Sequence, residues 1–328
     1  MPKEIEAGVR KAIREKVFPG CVVGVVRFNG TRELLPFGHF TYESDASAVR
    51  EDTIYDLASI TKSIPTASLA LTLMGEGKLR SADKVVKYLP ELKNDYGATI
   101  EDLLTYRVCG PRLSTLKDKM PDEVLSHVFE HGFDGPPGKH LYTNIPAFFL
   151  GIVLERVAGD TLDTLAQKYF FQQLGMNDTT FFPTDMSRIP PTEVVGGVEV
   201  RGVVHDESAR VFSRAHHAVG HAGLFSTAPD ILNFLQALLQ GKLQTVLSGA
   251  QKGWGWQKAE SWFMGTHFSE GAFGKTGFTG TSVGVDPQRG IAFVILSNRT
   301  YPTRPPDAAS IHSAINTFRA DIADILFR

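Results

Sequence analysis

A serine followed three residues later by a lysine is the pattern in this chain with the most chemistry in it. On a helix, residues three apart are neighbours on one face, so the amine can reach the hydroxyl. At a helix N-terminus, unpaired N–H groups and the dipole also favour the negative charge that develops when an oxygen attacks a carbonyl. The pattern occurs at Ser59 to Lys62, Ser81 to Lys84 and Ser114 to Lys117. Ser81 and Ser114 lie in polar stretches that read as exposed connections. Ser59 follows Ile54-Tyr55-Asp56-Leu57-Ala58 and leads into an apolar run read as a helix, so Ser59 is the candidate nucleophile and Lys62 its partner.

Two further segments, each present once, complete a set in chain order: Tyr142-Thr143-Asn144 and Lys275-Thr276-Gly277. Together with Ser59-Ile60-Thr61-Lys62 they resemble the motifs of the serine β-lactamase and penicillin-binding protein superfamily. The resemblance is to the branch that holds class C β-lactamases, DD-carboxypeptidases and β-lactamase-like (family VIII) carboxylesterases. It extends to Gly223-Leu224-Phe225-Ser226-Thr227 before a helix and to the terminal strands and helices. It implies a β-lactamase/transpeptidase-like α+β fold and an acyl-enzyme at Ser59, with no metal and no organic cofactor. It implies catalytic roles for Ser59, Lys62, Tyr142 and Lys275, and substrate contacts from Asn144, Thr276, Gly277 and Phe278. The backbone N–H groups of Ser59 and Phe278 would form the oxyanion hole, and Asn144 would bind a substrate amide or hold Lys62.

A serine hydroxyl needs a base at neutral pH. Tyr142, with a free pKa of roughly 10, serves only if cations stabilise its phenolate, and Lys62 and Lys275 are those cations. Alternatively Lys62 is itself neutral and is the base. Both assignments stand at this stage.

Two other patterns compete. Gly280-Thr281-Ser282-Val283-Gly284 fits the G-x-S-x-G elbow of α/β-hydrolases, but that elbow joins a strand to a helix, whereas Ser282 runs on into the Asp286-Pro287-Gln288-Arg289-Gly290 turn and another strand. Ser282 is therefore read as structural. His205, Asp206, Glu207, His216, His217 and His221 carry zinc-type donors, but their spacing is loose and no HExxH is present, so they read as a hydrogen-bonded loop near the site entrance. Trp254-Gly255-Trp256 is read as sheet packing ahead of pocket lining. Two departures from the family pattern stand out. Pro65 deletes a helical hydrogen bond six residues after Ser59 and predicts an irregular start to that helix. Leu104 to Gly110 replaces an expected His-Thr-Ser-Gly and leaves the pocket wall open to question.

The elements that must position these residues follow from periodicity. Cys21 to Phe28, Asn29-Gly30 and Arg32 to Phe40 read as a hairpin, and Ala272 to Gly277, Thr281 to Asp286 and Ile291 to Asn298 as three short strands. Ile5, Val9, Ile13 and Val17 mark an N-terminal helix, and Ile311, Ile315, Phe318, Ile322 and Ile325 a C-terminal one. Helices are expected at 67–74, 147–158 and 229–239, with Gly77 and Gly159 as C-terminal caps and a capping box from Thr227 to Asp230. The predicted architecture is an antiparallel sheet flanked by terminal helices, residues 1–58 with 245–328, interrupted by a mostly helical domain, 59–244, with the active site at their interface.

With 328 residues, 42% of them hydrophobic, the chain can bury a full core. A formal charge of −2 and the lack of any basic block disfavour nucleic acid and anionic membrane surfaces as partners. Cys21 and Cys109 lack zinc spacing and read as buried small hydrophobes. No signal peptide or transmembrane run is visible, which predicts a cytoplasmic protein if Met1 is the natural start; nothing speaks to oligomeric state. The expected partner is a small-molecule ester or amide, with an anionic substrate fitting Lys275. A carboxylesterase on small esters comes first. A β-lactamase or D-Ala-D-Ala carboxypeptidase/D-amino-acid peptidase comes second, and a non-catalytic penicillin-binding-like module third.

Overall fold

Valine-rich β1 (Gly20–Arg27) runs antiparallel to β2 (Arg32–Gly38) through a turn at which Gly30 holds φ 89°, an angle that residues with a Cβ resist. The computed structural model describes residues 2–307 and 310–328. The chain then forms the short strands β3 (Tyr55–Asp56), β4 (Glu193–Val195), β5 (Val198–Val200) and β6 (Phe225–Ser226). It returns to the first hairpin with β7 (Gln257–Lys258), β8 (Phe273–Thr276), β9 (Ser282–Asp286) and β10 (Ile291–Ser297). These complete a six-stranded antiparallel sheet in the order β2-β1-β10-β9-β8-β7, so the first long strand pairs with the last.

The helices are α1 (Pro2–Arg14), α2 (Ser68–Gly75), α3 (Ile100–Leu104), α4 (Pro121–His131), α5 (Ile145–Ala158), α6 (Leu162–Ala166), α7 (Glu207–Arg214), α8 (Ala228–Leu239), α9 (Gln244–Gln251), α10 (Ser261–Met264) and α11 (Ala314–Phe327). Alternation along β1 divides the core. Cys21, Val23 and Val25 face α1 and α11, meeting Ile5, Val9, Phe318 and Ile322. Val22 and Val26 face the other way, into a second cluster continuous with the helical region. Each fully buried aliphatic side chain contributes about 1.5–3 kcal/mol. On that second face α8 packs closely over Gly24, where a Cβ would lie 3.1 Å from Leu232 Cδ1 and 2.9 Å from Val294 Cγ1. Thus α8, expected as part of the helical insertion, is also the layer that covers the sheet.

Three details differ from the sequence reading. Ile311 precedes α11 and is exposed, because the helix begins only at Ala314. The Thr227 side chain does accept the Asp230 N–H, but the reciprocal half of the capping box is missing. Asp230 Oδ2 instead accepts from Asp178 N and Thr179 Oγ1, both at 2.8 Å. Cys21 is buried and Cys109 only partly so, and both are free thiols. Among the described residues no helix is long and apolar enough to cross a membrane.

Candidate active site

Ser59 does not head an α-helix, contrary to the sequence reading. It sits in a 3₁₀ turn, Ala58–Lys62, followed by a widened stretch, Ser63–Ala67, and regular α-helix starts only at Ser68. The break is at Ile64 (φ −117°, ψ 110°), the residue that a following proline excludes from helical geometry. The irregular start expected from Pro65 is therefore present, and the dipole of a regular helix is not directed at Ser59. In a 3₁₀ turn residues three apart eclipse each other. Lys62 accordingly lies beneath Ser59, with Nζ donating to Oγ at 3.0 Å.

The turn is held in a strained form. Ala58 adopts φ 48°, a left-handed angle costing about 1–3 kcal/mol that persists only where neighbours enforce it. Those neighbours are clear: Asp56 Oδ1 accepts the Ala58 N–H at 2.8 Å, and Thr61 Oγ1 donates to Ala58 O at 2.7 Å. Thr279 Oγ1 donates to Asp56 O at 2.7 Å and Thr281 Oγ1 to Leu57 O at 3.0 Å, tying the turn to the segment after β8. Gly277 permits that approach, since a Cβ there would lie 2.4 Å from Leu57 O and 2.0 Å from Thr281 Oγ1.

Burial sets the charges. Lys62 is 1% exposed and also donates to the His221 carbonyl at 2.7 Å; desolvation pulls its pKa down to about 8, against the opposing charge of Asp206. Lys275, at the end of β8, has its Nζ 4.5 Å from the Tyr142 ring centroid and 5.1 Å from that of Tyr106. Burial, then repulsion by Lys62, takes it to about 7. Surrounding protein pushes the Tyr142 phenol up to about 12, opposed by a hydrogen bond with Ser59 and reinforced by Asp206. About half of Tyr142 faces the open cleft (47% exposed), so water tempers that rise without reversing it.

Ser59, Tyr142, Lys275, Thr276, Gly277 and Phe278 line one cleft of about 850 Å³. Asn144 stands off its wall at the head of α5, with Nδ2 donating to Asp206 Oδ2 at 3.2 Å. The Leu104 to Gly110 segment does supply a wall: Tyr106 is buried against the Tyr142 ring at 5.2 Å. Trp256 both lines the cleft and packs edge-on against Phe273 of the sheet, so the two readings of that tryptophan merge. Ser282 is fully buried at the start of β9. Ser81 and Ser114 lie on outer turns away from the cleft.

The sequence reading missed two arginines. Arg319 on α11 donates to Gly277 O at 2.8 Å and Thr281 O at 2.7 Å, while Arg299 Nε donates to Phe278 O at 2.8 Å. Burial lowers them to about 9 and about 10, so both stay cationic at neutral pH beside the cleft. The histidine-rich segment lies behind the site instead of at its entrance. His205 is stacked under Phe278, His216 on Phe182, and His221 is fully buried under Lys62. No group of three or more metal-type donors converges among the described residues.

A buried lysine under a part-buried serine, framed by a tyrosine and a second lysine, is an arrangement suited to acyl transfer through the serine. The family model described as Beta-lactamase matches residues 5–315, and the chain belongs to that family of serine hydrolases. It is similar to an N-acetylmuramyl-L-alanine amidase of Bacillus subtilis (27% identical, 87% of this chain and 78% of the relative). It is also similar to a putative D-alanyl-D-alanine carboxypeptidase of Escherichia coli O157:H7 (30% identical, 76% of this chain and 70% of the relative). Its fold matches EstCE1, a hydrolase with promiscuous acyltransferase activity (TM-score 0.77, 21% identical, 99% of this chain and 98% of the other). A class C β-lactamase from Rhodobacter sphaeroides matches as well (TM-score 0.74, 21% identical, 98% and 99%).

Proposed function

We propose that this protein hydrolyses small carboxylic esters through an acyl-enzyme at Ser59. The observation that carries the reading is Ser59 Oγ at the cleft surface, 3.0 Å from a lysine amine that burial has pulled down to about 8. Once Lys62 is neutral it still donates to His221 O, and its lone pair is directed at Ser59. Ser59 Oγ bonds to the substrate carbonyl carbon while its proton passes to Lys62 Nζ. The N–H groups of Ser59 and Phe278 are the groups proposed to hold the carbonyl oxygen as it becomes negative. Collapse breaks the carbon–oxygen bond to the alcohol, which takes a proton from Lys62 directly or through Tyr142. Water then repeats the sequence on the acyl-enzyme, releasing the acid and free Ser59. Tyr142, held as a phenol, is in this scheme a proton conduit and not the resting base.

Aromatic side chains of Tyr106, Trp256 and Trp262 offer an apolar wall for an acyl chain. A second reading, hydrolysis of a β-lactam or a D-amino-acid peptide, is favoured by Lys275, Arg299 and Arg319 in the same cleft, which suit a substrate carboxylate. Two relatives bearing the names of amide-cleaving enzymes point the same way.

Turnover of p-nitrophenyl acetate, of a p-nitrophenyl hemi-ester of a dicarboxylic acid and of a chromogenic cephalosporin separates these readings. The ester reading expects acetate turnover that disappears in Ser59→Ala. Cephalosporin turnover at a higher kcat/KM than either ester would replace it with the second.

A further inference from the structure

Asp206 occupies a place that helix capping alone does not explain. It heads α7, where Oδ1 accepts the N–H groups of Ser208 and Ala209, each at 3.0 Å. The same Oδ1 also accepts the Ser208 hydroxyl at 2.5 Å, and Ser208 Oγ lies 3.0 Å from His221 Nε2. Because the Ser208 proton is directed to the carboxylate, Nε2 of His221 must carry the proton of the second bond. That tautomer leaves Nδ1 bare, in keeping with its lack of a partner. His221 then presents its carbonyl to Lys62 Nζ at 2.7 Å. On the other side Asp206 Oδ2 holds the Asn144 amide. One carboxylate thus grips both the residue under the lysine and the asparagine at the head of α5. A helix cap needs neither a fully buried histidine nor a partner 62 residues away.

We infer that Asp206 is a positioning residue for the nucleophile: through Ser208 and His221 it fixes where the Lys62 amine lies, and its charge sets how readily that amine gives up its proton. The inference rests on the reading that Ser59 is the nucleophile activated by Lys62. Lys62 is faced by Asp206 and His221 on this side and by Lys275, Tyr142 and Ser59 on the other. Asp206 is faced by His221, Lys62, Tyr142, His205, Asp56 and Arg304. Burial would raise the Asp206 carboxyl, but His221, Ser208 and the Ala209 N–H hold it well below the usual range, so it remains anionic. That charge favours the ammonium form of Lys62.

The test is the rate of Ser59 labelling by a fluorophosphonate across pH 5–10 in the full chain, which does not depend on knowing the substrate. Asp206→Asn keeps a helix-capping side chain but removes the charge. The maximal labelling rate is expected to fall about tenfold, as for a displaced catalytic group, with the reagent's half-saturating concentration unchanged. The acidic limb of the pH profile should move to lower pH by about half a pH unit, because neutral Lys62 is no longer opposed. Ser208→Ala, which keeps the charge, should lower the maximum and leave the limb in place. Asp206→Glu should restore the limb. If Asp206→Asn does not fold, Asp206→Ser carries the same expectation. A limb at the wild-type position in the charge-removing variant overturns the inference, whatever happens to the rate, since a purely structural role leaves it unmoved. A wild-type protein unlabelled at Ser59 overturns both the inference and the nucleophile reading beneath it.

Discussion

Gly277→Ala is the sharpest perturbation available, because it adds one methyl group at the junction of the two halves of the site. The new Cβ would lie 2.4 Å from Leu57 O and 2.0 Å from Thr281 Oγ1, and separations under 3.0 Å are not tolerated. Thr281 can rotate its hydroxyl, at the loss of its bond to Leu57 O. Leu57 O is backbone and can retreat only by carrying the Ala58–Lys62 turn with it. The turn and the Lys275-Thr276-Gly277 segment must therefore separate by over half an ångström, measured from 2.4 Å to beyond 3.0 Å. Misplacement on the scale of 1 Å costs on the order of 10²-fold in rate, and overpacking costs about 1–3 kcal/mol of stability, a few degrees in Tm. Steady-state hydrolysis of p-nitrophenyl acetate with a thermal melt reads both. The matching control is Gly159→Ala, with φ 73° but no atom within 4 Å, where stability falls by about 1–2 kcal/mol and activity stays. Near-wild-type kcat in Gly277→Ala would refute the claim that the segment and the nucleophile turn work as one rigid unit.

With Lys62 at about 8 and Tyr142 at about 12, kcat/KM for a neutral ester should rise to about pH 8 and then level. A rise continuing past pH 10 would make Tyr142 the base. Lys62→Ala should then lose on the order of 10²–10⁴-fold, and Tyr142→Phe less, with the acidic limb preserved. Lys275→Met should be more stable than wild type. Its buried amine is deprotonated above about pH 7 in the native state, while an unfolded lysine holds its proton to roughly 10.4, so this group's penalty is full below pH 7 and fades as pH rises. The Tm gain of the methionine variant over wild type should therefore be larger at pH 6.5 than at pH 9.5; the opposite trend would contradict the assignment of Lys275 as a buried, desolvated amine. Ser282→Ala, in a buried strand, should leave kcat unchanged in the ester assay.

What was legible in the sequence is what local physics dictates. The valine-rich run from Cys21 and the Asn29-Gly30 turn gave the first hairpin within a residue or two at each end, and Gly159 marked the end of α5. The three chemical segments were legible because spacing within each is short. Ser59, Tyr142 and Lys275 converge on one cleft, although the last two stand 133 positions apart in sequence; the resemblance supplied that convergence and no local rule could. Arg319 was invisible for the opposite reason. It looks like a polar position on an amphipathic helix, and only the antiparallel closure of the sheet brings it to Gly277 O. Asp206 was legible only as one member of a hydrogen-bonded loop: carboxylate and imidazole close in sequence signal such a chain, but that it leads to His221 under Lys62 follows from the folded chain alone. Pro65 was a local signal whose consequence was local, yet the helix expected to begin at Ser59 was too simple, because a residue before proline leaves helical geometry.

The central claim is that Ser59 is the nucleophile, and intact-mass spectrometry after fluorophosphonate treatment, followed by peptide mapping, tests it most directly. A single adduct is expected on the peptide carrying Ser59, absent in Ser59→Ala and formed much more slowly in Lys62→Ala. An adduct on Ser282 or another residue, or a Ser59→Ala protein labelled as fast as wild type, would contradict it.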